Sequence, residues 1–185
     1  MKALLFDTET TGLIENRAID LDRQPEVIEY YGCMADLKKG KVLSDYETMI
    51  KPRNKVNGLM ATNAKKSISD ITGIDDAMLA KAPSFAQVAK KIKAQLEGAP
   101  LIIGQNVQFD REMMNIEFER LGEKIKWPPC ICTIEQSIFL KGERLNLSRL
   151  HELLLGATFP GAHRAKADTH ALMRCATEMF KRGML

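Results

Sequence analysis

Apolar and polar positions along this chain follow two periods, one of strands and one of helices. Residues 2–7, KALLFD, form a short apolar run closed by an acid and read as a buried strand. Residues 25–52 hold two more strand-like stretches around Lys38-Lys39-Gly40-Lys41, the pattern of an antiparallel hairpin. From 59 to 98 the period turns helical. Its clearest part begins at Pro83-Ser84, places Phe85, Val88, Ile92 and Leu96 on one stripe, and stops at Gly98. PLIIG at 100–104 reads as a short buried strand, and Phe109, Met113, Ile116 and Leu121 as a helix ending at Gly122. Residues 131–139 fit strand and helix equally well. Leu147, Leu150 and Leu154 mark another helix, and 165–181 the last. Three antiparallel-paired strands, then strands alternating with helices, predict a mixed α/β domain and not a purely doubly wound sheet. No repeat, low-complexity tract or linker divides the chain, so residues 1–185 are expected to form one domain.

Composition excludes several classes. At 45% hydrophobic and 28% charged residues the chain is neither disordered nor fibrous. No apolar run approaches the roughly 18 residues of a membrane span, and the N-terminal one is too short for a secretory signal. Cys33, Cys130, Cys132 and Cys175 form no C-x-x-C pair and read as reduced packing thiols, so the expected location is the cytoplasm. A net charge of +3 permits a polyanionic partner without demanding one.

The acids change the picture. Asp7 and Glu9 end the first strand at i and i+2, hence on one face, where they repel each other unless a cation lies between them. Asp110 falls at the start of a helix, where capping and the helix dipole are sufficient reasons for an acid. Asp168 lies on the buried stripe of the last helix with Ala165, Leu172, Cys175 and Met179. A carboxylate there needs a metal or a cationic partner, and Arg164 is one turn away. His163, five residues before Asp168, is a candidate base. His170 projects about 200° round the helix from Asp168, and His151 reads as a solvated or capping residue. Hard oxygen donors without a Cys or His cluster suit Mg²⁺ or Mn²⁺ better than zinc.

Three stretches in order carry a resemblance: FDTETTGL at 6–13, IGQNVQFDREMM at 103–114 and HRAKAD at 163–168, with ITGIDDAMLAKAPSFAQV at 71–88 between the first two. Together they resemble the DEDDh branch of the DnaQ-like 3′–5′ exonucleases, the family that includes the proofreading epsilon subunit of bacterial DNA polymerase III. The resemblance implies an RNase H-like α/β fold, with a mixed sheet of an antiparallel hairpin plus βαβ flanked by helices. It implies two Mg²⁺ ions, replaceable by Mn²⁺, on Asp7, Glu9, Asp110 and Asp168. Asp7, Glu9 and Asp168 would hold one ion, and Asp7 with Asp110 the second. His163 would be the general base in hydrolysis of the 3′-terminal phosphodiester, releasing nucleoside 5′-monophosphates. Thr10, Thr11, Gly12 and Leu13 would meet the terminal nucleotide, with Asn106 adding a hydrogen bond. The implied partner is a nucleic-acid 3′ end, DNA in preference to RNA, single-stranded or frayed, and a polymerase could be a separate chain. Gln105 stands where the family often has histidine, and Cys132 where it often has aspartate before Thr133; these departures bear on substrate preference, since no ligand position is substituted.

Two other readings compete. LLFDTET resembles the opening of haloacid-dehalogenase-type phosphatases, but that chemistry normally has Asp where this chain has Glu9 and needs a later Gly-Asp-x-x-x-Asp that is absent. An inactive nucleic-acid-binding module would leave four repelling acids without a role. An exoribonuclease of the same family remains the alternative within the enzyme reading. The sequence does not define an oligomeric state or bring Lys55, Lys65, Lys66, Lys90, Lys91 and Lys93 to one surface.

Overall fold

The computed structural model describes residues 1–16, 20–57 and 66–185. Five strands form one sheet: β1 (Lys2–Thr10), β2 (Val27–Asp36), β3 (Lys41–Met49), β4 (Ile102–Gly104) and β5 (Cys130–Cys132), in the order β3-β2-β1-β4-β5. β1 pairs antiparallel with β2 and parallel with β4, so it is the seam between the hairpin half and the crossover half. β2 pairs antiparallel with β3, and β4 parallel with β5.

Both faces of the sheet are covered, which is why β1 starts as an unbroken apolar run. Leu4 and Phe6 point to one face, into a core with Ile92 and Leu96 of α3 (Phe85–Glu97) and Met113, Met114 and Phe118 of α4 (Val107–Arg120). Ala3 and Leu5 point to the other, against Ala165, Leu172 and Ala176 of α7 (Ala165–Lys181). Ile102 and Ile103 of β4 divide between the same two cores. A third cluster, Leu150 and Leu154 of α6 (Leu147–Leu155) with Cys175 and Met179, seats α6 against α7.

The structure sharpens the sequence reading in several places. β1 runs on to Thr10 because its polar end keeps its ladder to β2, Thr8 opposite Tyr30 and Glu9 opposite Glu29, until the register shifts between Glu9 and Thr10. Residues 131–139 divide into the end of β5 and most of α5 (Thr133–Lys141). The helical stretch from 59 resolves into α1 (Ile68–Thr72), α2 (Asp76–Leu79) and α3, while 59–65 lie outside the described residues. A capping box between Ser67 and Asp70 starts α1, and left-handed Gly73 ends it. Gly104 has a steric reason: a Cβ there would come within 2.7 Å of the Val107 side chain, so only glycine lets α4 start so close to β4. The four cysteines are free, as expected. Among the described residues no helix is long and apolar enough to cross a membrane.

Candidate active site

The alternation that buries Ala3 and Leu5 under α7 carries Asp7 and Glu9 to that same face. Asp168, in the first turn of α7, meets them there: one carboxylate oxygen from each of the three lies within 4.8 Å of the others. Thr8 points to the opposite face and meets Asp110 in the first turn of α4. Its backbone N–H donates to Asp110 Oδ1 at 3.0 Å and its hydroxyl at 2.7 Å. Asp110 is thus gripped by the strand residue between the two acids, and it lies outside the group of three.

Four buried or half-buried carboxylates with few cations nearby hold their protons unusually tightly. Burial raises the Asp7 pKa well above the ordinary carboxylate value, and the charges of Asp110, Glu9 and Asp168 add to the effect. Glu9 is pushed up to about 8 by burial, then by Asp168, Glu29 and Asp110, with Arg164 opposing. Asp110 rises to about 7 through burial, although both Thr8 bonds pull it down. Asp168 is raised by burial against the lowering effect of a backbone N–H from His163. Such a cluster is a place where a divalent cation can replace protons. The all-oxygen donor set fits Mg²⁺ or Mn²⁺.

His163 is exposed and adopts a left-handed backbone, φ +68°, which non-glycine residues rarely take. Its N–H donates to Asp168 Oδ2 at 2.9 Å. His163, Asp7 and Asp168 line one cleft of about 260 Å³ together with Gln105, Asn146 and Phe159. The Thr10–Leu13 turn follows the end of β1. Thr10 Oγ1 donates to the Gly12 carbonyl, Thr11 exchanges hydrogen bonds with the Glu26 backbone, and Leu13 is 54% exposed. A second hollow of about 510 Å³ is lined by Thr11, Gly12 and Leu13, with Arg23 and Lys55 alongside the acids Glu15, Asp22 and Glu26. Asn106 is exposed at the head of α4 with φ +57°, and the cleft is lined by its neighbour Gln105 instead.

The other histidines have structural work. His151 is buried, which corrects the expectation of a solvated or capping residue. Its Nε2 accepts from Arg174 Nε at 3.0 Å, so Nδ1 carries the proton and donates to the Ala157 carbonyl at 2.6 Å. His170 bonds the Tyr31 hydroxyl at 2.9 Å, which itself donates to Asp45 at 3.0 Å.

Two networks escaped the sequence reading. Arg164 partners Glu29 of β2, not Asp168: Nη2 donates to Oε1 at 2.6 Å, and Nε reaches both carboxylate oxygens at 3.2 Å. The signal was an acid inside the otherwise apolar VIEYYG, with an arginine directly after the candidate base. Gln105 is the other case. Its Nε2 donates to the Leu145 carbonyl at 2.9 Å and its Oε1 accepts from Thr133 at 2.5 Å, tying the end of β4 to α5 and to the segment before α6. Of the six lysines, Lys91 sits over the Tyr46 ring and Lys93 pairs with Glu123, Lys55 lines the hollow beside Leu13, and Lys65 lies outside the described residues.

Comparison with known proteins decides the family. A family model described as RNase T, exonuclease, matches residues 4–176. The chain belongs to this exonuclease family. It is a DnaQ-like 3′–5′ exonuclease. The PolC-type DNA polymerase III of Halalkalibacterium halodurans is 28% identical over 189 residues, which cover 98% of this chain and 12% of that polymerase. The exonuclease chain therefore spans only a small fraction of the curated relatives it matches. The nuclease domain of 3′hExo, a DEDDh family member bound to rAMP, superposes with a TM-score of 0.74 at 19% identity, covering 98% of this chain and 92% of that one. Exonuclease X in complex with 5′ overhanging duplex DNA gives 0.65 at 21% identity, over 97% and 92%. These two likenesses establish the fold, the RNase H-like sheet of the DEDDh exonucleases.

Proposed function

We propose that this exonuclease shortens DNA from the 3′ end, at single-stranded or frayed termini, with two Mg²⁺ ions and His163 as general base, releasing nucleoside 5′-monophosphates. The observation that carries the reading is the meeting of Asp7, Glu9 and Asp168 within 4.8 Å on the cleft edge where His163 stands. Asp7, Glu9 and Asp168 would hold one ion, and Asp7 with Asp110 the second. When bound, the ions acidify water and neutralise charge on the phosphoryl oxygens.

The chain's own groups do the rest. His163, on the wall of the cleft beside Asp7 and Asp168, takes the proton from the attacking water. Thr10, Thr11 and Gly12 present backbone to the terminal nucleotide, and exposed Leu13 wedges against its base. Asn106, exposed beside the cleft, adds a hydrogen bond to the substrate. DNA is favoured over RNA because the curated relatives are DNA polymerases, which also favours action beside a polymerase. The second reading, an exoribonuclease, is supported by the neighbour bound to rAMP.

The test is a gel time course on 5′-labelled single-stranded DNA and RNA of one sequence, with Mg²⁺, Mn²⁺ or EDTA. A metal-dependent ladder shortening from the 3′ end of DNA, absent in Asp7→Ala, is expected. A ladder on RNA alone would replace the substrate, and hydrolysis of monophosphate esters without a ladder would overturn the mechanism.

A further inference from the structure

The candidate base sits on a segment with no regular secondary structure, in a backbone conformation disfavoured by any residue with a Cβ. Something must hold it there. Its own N–H is bound to Asp168. The next two residues are both anchored to Glu29: Arg164 through its guanidinium, and Ala165 through its backbone N–H to Oε2 at 2.9 Å. Glu29 itself is 1% exposed and held in the middle of the sheet, opposite Glu9 of β1 on one side and Met49 of β3 on the other. The anchor of the histidine loop and one of the clustered acids therefore share a single rung of the β1–β2 ladder.

We propose that Glu29 and Arg164 are positioning residues for His163: their ion pair fixes the left-handed turn from which the imidazole reaches the cleft. The inference rests on the base role proposed above. A carboxylate that accepts a planar fork and a backbone N–H at once sets position and direction together, and lysine cannot reproduce the fork. With the pair broken, the turn relaxes and the imidazole leaves its place beside Asp7 and Asp168. Because Arg164 is 38% exposed, contact with a substrate phosphate is the rival role, and kinetics separate the two.

The experiment is steady-state 3′-end trimming of a 5′-labelled single-stranded DNA at saturating Mg²⁺. It compares the wild type, Glu29→Gln, Arg164→Lys, His163→Ala and each clamp variant combined with His163→Ala, with a melting curve for each. Each clamp variant alone is expected to lower kcat between about ten- and a hundredfold, with KM within about threefold of wild type. Added to His163→Ala, neither should lower kcat further, because the residue they act through is gone. Equal losses in both backgrounds would overturn the proposal, as would unchanged kcat. A raised KM with unchanged kcat would make Arg164 a phosphate contact. Unchanged kcat in His163→Ala would remove the base reading itself and the clamp with it. If Glu29→Gln fails to fold, Arg164→Lys, which keeps the charge, carries the test alone.

Discussion

Glu9 and Glu29 face each other across β1 and β2, both buried, both turned toward α7, yet their surroundings are opposite. Glu29 receives a guanidinium and a backbone N–H. Glu9 is pushed up to about 8 first by burial and then by the charges of Asp168, Glu29 and Asp110, with only Arg164 in relief. A buried carboxylate supplied with donors is part of the frame. One supplied mainly with other carboxylates is complete only when a cation arrives.

The largest effect that sharpens this contrast is on catalysis. Asp7→Ala is expected to lower 3′-trimming by at least about a hundredfold while circular dichroism stays unchanged. Metal affinity, followed by Mn²⁺ titration, should fall with it; affinity independent of Asp7 would break the assignment of the cluster. Next comes stability, where the two glutamates should move in opposite directions. Glu29→Ala leaves Arg164 and the Ala165 N–H without their acceptor and should cost roughly 1–3 kcal/mol in urea unfolding, discounted because the arginine is partly in water. Above about pH 8, where Glu9 is ionised, Glu9→Gln removes one repelling charge and should raise the melting temperature measured in EDTA.

The pH dependence follows from the same asymmetry. The folded protein binds the Glu9 proton more tightly than the unfolded chain does, about 8 against 4.5. The stability this contributes is full below about pH 4.5 and is lost as pH rises through about 8. In EDTA the melting temperature should therefore decline across that window, and saturating Mg²⁺ should flatten the decline. A slope indifferent to metal would break the comparison. The smallest effect is expected at Gln105→His, which gives up one of two hydrogen bonds linking β4 to its neighbours, about 1 kcal/mol by thermal unfolding.

Much of this site was legible in the chain because its parts are local. Asp7 and Glu9 are two residues apart, His163 and Asp168 five, and strand alternation and helical stripes turn such spacings into faces. The hairpin and the span of the last helix came from the same periodicities. What escaped reading depends on pairing between distant segments. The extension of β1 to Thr10 exists only because β2 supplies the ladder. The Arg164–Glu29 pair joins residues 135 apart, and nothing near either one names the other. His151 looked like a surface residue because its burial comes from Arg174 of α7 and from Ala157 and Phe159, which the chain folds back after α6 ends.

The placement of Asp168 on the final helix has a consequence for how the molecule comes into being. A nascent chain carries Asp7, Glu9 and Asp110 well before α7 has been made, but without that helix Ala3 and Leu5 have no cover and the acids no third partner. The three-acid cluster thus forms only when α7 docks on β1, across a long stretch of intervening chain.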